Sequence, residues 1–99
     1  MNENPLQLVK DTDSALFENI NLTKDLAFQE GELSTKHKLL IAMAIDMAKN
    51  SANGIRSLAS QALASGATKK EIIETLRIAH YICGVGSTFT AVAALKGIL

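Results

Sequence analysis

The chain has no tryptophan, one proline, one cysteine and one tyrosine, and aromatic rings supply only 4% of its residues. A core without rings must be assembled from Ala, Leu, Ile, Val and Met, and small aliphatic side chains let helices approach closely. The single cysteine, Cys83, excludes a disulfide within the chain and any cysteine-rich zinc site. Net charge is missing too: ten Lys and Arg balance ten Asp and Glu, with a pI near 6.7. That removes the electrostatic case for a nucleic-acid partner or an anionic membrane surface. The opening MNENPLQLVKDTD lacks the basic and apolar regions of a secretory signal, so a cytoplasmic location is expected. The two histidines, His37 and His80, have no carboxylates at ligand spacing, so neither a metal nor a cofactor is expected.

What is present is aliphatic. Apolar residues fill 47% of the 99 positions, which suits one domain over residues 1–99; a chain of this size hides roughly two-thirds of its unfolded surface on folding. So apolar a small domain is short of solvating surface, and part of that area is expected to lie against another copy of the chain. Ile78 to Leu95 carries no Asp, Glu, Lys or Arg and approaches the length of a membrane span. Its His80, Gly84, Gly86, Ser87, Thr88 and Thr90 weigh against a span, so no membrane partner is expected.

No stretch alternates in the manner of a strand, and the spacing predicts an all-α chain. Asn4-Pro5 reads as a helix start, followed by the short anchor of Leu6, Leu8 and Val9. Asp13 or Ser14 caps a second piece carrying Leu16, Phe17 and Ile20; Asn21 allows a break, after which Leu22, Leu26, Ala27 and Phe28 resume. Residues 1–30 thus read as a broken amphipathic cover over a core that follows. Ser34 is an N-cap for a helix in which every residue from Leu39 to Ile45 is apolar, a pattern expected in the middle of a bundle. Lys49-Asn50 ends it, and Ser51-Ala52-Asn53-Gly54 reads as the turn. Ile55, Leu58, Ala59, Ala62 and Leu63 form the apolar face of the next helix, closed by Gly66 as a left-handed cap. Thr68-Lys69-Lys70-Glu71 is a capping box, and Ile72, Leu76, Ala79 and Cys83 share a stripe beyond it. Gly84 and Gly86 break that helix, and Ser87 or Thr88 starts the last one. The expected fold is a helical bundle built on a central helical hairpin spanning 36–66.

With the hairpin placed, the sequence resembles the carboxymuconolactone decarboxylase family, which includes the alkylhydroperoxidase-like proteins. The resemblance rests on Gly31, Leu33, Ser34, Lys36 and Leu40-Ile41-Ala42, then Ala62-Leu63, Gly66-Ala67-Thr68, Glu71-Ile72 and Glu74. Cys83-Gly84-Val85 is similar to the decarboxylase branch's tyrosine-cysteine-glycine-valine-proline stretch. It implies a family core over 31–97 and an alkylhydroperoxidase-like helical protomer that assembles into homo-oligomeric rings, trimers or hexamers. The redox branch works with a glutamate, a Cys-x-x-Cys pair and a histidine. Counted back from Gly66 in the family spacing, these fall on Leu39, Ser51, Gly54 and Leu58. All four have changed. A helix terminus lowers the energy of an anion by at most about 2 kcal/mol, far too little to ionise Ser51, and neither leucine can take a proton. The chain is therefore expected to lack dithiol peroxidase chemistry. The decarboxylase branch's tyrosine and proline are replaced by Ile82 and Gly86, which weighs against lactone decarboxylation.

Two functions follow. The favoured one is a non-catalytic, oligomeric family member, with a mostly apolar pocket lined by Leu39, Ser51, Leu58 and His80 and fit for a small neutral ligand. Its plainer version is that the two leucines fill the space. The alternative is a peroxidase- or decarboxylase-like enzyme with a displaced centre, for which Cys83 and His80, three apart on one helix, are the candidate catalytic pair. Against it, a cysteine within an apolar stripe packs as a small hydrophobe and stays inert. Asp46, an acid inside the greasiest helix, is expected to reach solvent or pair with Arg56 or Lys49. Tyr81 points away from the stripe and suits a contact with another protomer.

Overall fold

A computed structural model describes residues 4–99, so the first three residues of the stretch read above for a secretory signal lie outside it. Among the described residues there are six helices and no strand. The chain divides into two compact units, one ending at Gly31 and the other Glu32–Leu99.

The first unit holds α1, Pro5–Thr12, and α2, Ser14–Phe28. Pro5 sits at the first helical position, where its missing N–H costs nothing, and the Asn4 side chain accepts from the Leu6 amide at 3.0 Å. Asp13 does two jobs. Its amide closes α1 on the Val9 carbonyl at 2.7 Å, and its carboxylate accepts from the Leu16 amide at 3.0 Å to cap α2. The break expected at Asn21 does not occur; α2 runs through it, because an asparagine within a helix costs well under 1 kcal/mol. Neither helix has a fully buried residue.

The second unit holds α3, Thr35–Ala48, α4, Ala52–Ala64, α5, Lys69–Cys83, and α6, Val85–Leu95. Its ends are capped as the sequence indicates. Ser34 accepts from the His37 amide at 3.2 Å, and the Thr68 capping box is complete in both directions, at 2.9 and 3.1 Å. Glu71 also pairs with Lys36 at 3.0 Å, which ties α5 to α3. Thr68's amide and Lys36's ammonium together hold the Glu71 carboxyl below its ordinary value.

Both hairpin helices close on the same motif. Asn50, with φ of 55°, and Gly66, with φ of 98°, take the left-handed position. The next amides, of Ser51 and Ala67, reach back to Asp46 and Ala62 carbonyls at 2.9 Å each. The expected four-residue turn at 51–54 is therefore shorter. Asn50 makes the reversal, Ser51 is the N-cap, and Ala52, Asn53 and Gly54 already belong to the first turn of α4. Likewise Gly84 alone, with φ of 89°, breaks α5 from α6; Gly86 lies inside α6, which starts at Val85 rather than at Ser87 or Thr88.

The core lies wholly in this unit. It comprises Met43, Met47, Ile55, Ala59, Ile72, Ala79, Ala91, Ala94 and Leu95, flanked by Leu40, Leu58, Leu63, Leu76 and Ile98. Four of the nine are alanines, which brings the four backbones close; each large side chain fully buried here contributes roughly 1.5–3 kcal/mol. As expected for a central helix, α3 packs against α4, α5 and α6. Only Leu39, Met43 and Met47 are buried on it, however, and Ile41 and Ile45 remain 48% and 56% exposed.

Candidate functional site

The place to look is the α3–α4 corner, where the resemblance puts the reactive groups. Leu39 is buried on α3, and Leu58 is half-buried on α4 and packed on the core. Ser51 is half-buried at the N-cap of α4, yet its hydroxyl makes no capping bond. The amides of Ala52, Asn53 and Gly54 thus have no acceptor within the helix, and the first turn of α4 carries the partial positive charge of a bare helix start.

Asp46 lies beside that helix start. It stands near the C-terminal end of α3, where its own helix disfavours an anion, and its half-buried carboxylate lies against Gly54. A Cβ added at Gly54 would fall on Asp46 Oδ2 and come within 2.9 Å of its Cγ. A side chain at 54 would thus require the end of Asp46 to move, while the backbone there, whose φ is not among the positive ones, would accept it. Asp46 makes no ion pair with Arg56 or Lys49. Arg56 Nη1 instead donates to the carbonyls of Ala94 at 3.1 Å and Lys96 at 2.8 Å, closing the C-terminal end of α6. The acid is conspicuous in the sequence; its packing on a glycine eight residues away, across a turn, is not.

The proposed displaced pair is arranged differently. His80 is exposed on α5 and Cys83 is half-buried at the end of that helix, with no hydrogen bond between them. His80 Nδ1 shares a 2.6 Å hydrogen bond with Thr88 Oγ1, and the Thr88 hydroxyl donates to the Gly84 carbonyl at 3.3 Å. Thr88 was not foreseen as a partner, because the bond spans the Gly84 corner, eight residues along the chain. Tyr81, at 85% exposure, projects outward beside it.

Of the four residues expected to line one pocket, none lines either of two open clefts that the described residues form on α5 and α6. One, of about 420 Å³, is walled by Ile73, Leu76, Val92, Leu95 and Leu99, with Lys96 at its edge. The other, of about 390 Å³, shares Ile73 and is bordered by Lys69, Lys70, Glu74 and Arg77. Among the described residues, no three His, Cys, Asp or Glu are grouped to hold a metal ion, and no helix is long and apolar enough to cross a membrane.

Residues 15–97 match the sequence profile of the carboxymuconolactone decarboxylase family, reaching back into α2 beyond the motifs quoted above. Among solved structures, the chain is similar to apo-lpg0406, a carboxymuconolactone decarboxylase family protein from Legionella pneumophila. The two are 31% identical with a TM-score of 0.86, over 92% of this chain and 81% of that one. No curated protein sequence matches significantly.

Proposed function

Because the chain belongs to the carboxymuconolactone decarboxylase family, we propose that it is a member without the dithiol peroxidase centre, a non-catalytic helical protein that acts as an assembly of identical copies. The observation that carries this reading is the contact between Asp46 and Gly54. At the position assigned to the second thiol there is no sulfur, and a side chain placed there would meet the Asp46 carboxylate, which would have to turn aside to admit it. Leu39 is buried and Leu58 half-buried at the positions that the resemblance assigns to the acid and the imidazole, so neither position offers a proton acceptor. A displaced Cys83/His80 centre is disfavoured, since Thr88 rather than the thiol holds the imidazole.

The assembly, a ring of three or six copies, is supported by apolar surface left open on a single chain. Ile41 and Ile45 on α3, Ile78, Tyr81 and Ile82 on α5, and Phe89 on α6 are all exposed.

The test of lost chemistry is steady-state reduction of an organic hydroperoxide with a dithiol reductant, comparing the wild type with Cys83→Ala. The expected result is equal, background rates for both. Turnover by the wild type well above the Cys83→Ala rate would overturn the reading and restore Cys83 as a catalytic thiol.

A further inference from the structure

The zero net charge conceals two opposite halves. Residues 1–31 hold six Asp and Glu against two Lys, and residues 32–99 hold eight Lys and Arg against four acids. The first is four charges negative, the second four positive.

In each half, two charges of the excess sign share a helix face with an exposed apolar side chain; on α5, Glu74 borders the same cleft as Lys70 and Arg77. On α2, Glu18, Leu22, Asp25 and Leu26 fall at i, i+4, i+7 and i+8 and share one face. All four are exposed, the leucines at 68% and 69%. On α5, Lys70, Ile73 and Arg77 fall at i, i+3 and i+7, and Ile73 is the residue common to the two clefts. The spacings agree. Glu18 and Asp25 are seven residues apart, as are Lys70 and Arg77, so each pair of like charges spans about 10 Å along its helix. Each pair has an apolar side chain between its members, Leu22 in one case and Ile73 in the other.

We infer that α2 of one copy docks its Glu18–Leu22–Asp25–Leu26 face onto the α5/α6 groove of a second copy, with Lys70 and Arg77 facing the carboxylates and Leu22 and Leu26 entering the cleft at Ile73. This rests on the assembly of identical copies proposed above and adds to its exposed apolar surface a second, charged contact. Exposed ion pairs contribute little affinity singly but fix orientation and penalise wrong pairings, while the leucines supply the buried area.

The experiment uses two full-length variants, Glu18→Lys/Asp25→Lys and Lys70→Glu/Arg77→Glu, with circular dichroism confirming wild-type helix content. Self-association is measured by sedimentation velocity and native mass spectrometry. Each variant alone sets like charges against each other and is expected to self-associate at least about tenfold more weakly than the wild type. An equimolar mixture puts opposite charges together again and is expected to form mixed assemblies with near wild-type affinity. Mixing separates contacts between copies from contacts within one, because only the former can be rescued. Variants that associate like the wild type, or a mixture no better than its components, would overturn the inference and leave the assembly itself standing. A wild type that is monomeric throughout would overturn both.

Discussion

Glu71 is held by two donors at once, the Thr68 amide at 2.9 Å and the Lys36 ammonium at 3.0 Å, and both favour its ionised form. Its folded pKa is therefore lowered from the ordinary 4.5. A depressed carboxyl contributes stability that is fully present above the unfolded value and is lost as pH falls through the folded one. In urea titrations, the wild type's advantage over Glu71→Gln should be constant near neutrality and shrink below pH 4.5. A gap unchanged down to pH 3 would refute this cause. The capping box was legible because its two partners are three residues apart. Arg56 was not, since it reaches carbonyls 38 and 40 residues further along the chain, a distance at which local spacing carries no information. For the same reason Asp46 was conspicuous in the sequence, while its place beside Gly54 was not.

Between elements, the corners decide where a helix stops. Asn50, Gly66 and Gly84 all take positive φ, and each is the last word of its helix. These breaks were readable from residue type, because asparagine and glycine are the residues that tolerate the left-handed region. What followed each break was less readable. Ala52, Asn53 and Gly54 look like turn residues but lie in the helical first turn of α4, and Gly86 is exposed inside α6, a helix anchored by its buried Ser87, Ala91, Ala94 and Leu95. Gly84, with φ of 89° and ψ of 178°, occupies a region open in practice only to glycine. Gly84→Ala should destabilise the chain by about 1–3 kcal/mol, read from thermal or urea unfolding. Because His80 bonds Thr88 across this corner, the same substitution should shift the His80 ring resonances in NMR spectra. Unchanged stability would mean that the corner relaxes freely.

For the molecule as a whole, the spacing of apolar residues and the caps between them gave the fold class and the order of helices, while the division of charge between 1–31 and 32–99 was hidden by a total of zero. The functional reading turns on one spot, where a carboxylate from α3 stands in the room that a side chain at 54 would need. Unfolding free energies of Gly54→Ala, measured in the wild-type and in the Asp46→Ala backgrounds, test that occupancy most directly. With Asp46 present, the added methyl must turn the end of that side chain aside, so the change should stabilise less than alanine ordinarily does over glycine in a helix, or destabilise. With Asp46 removed, the same change should stabilise by up to about 1 kcal/mol, as alanine does over glycine in a helix. An effect of the same sign and size in both backgrounds would contradict the account, because the site would then have had space for a thiol all along.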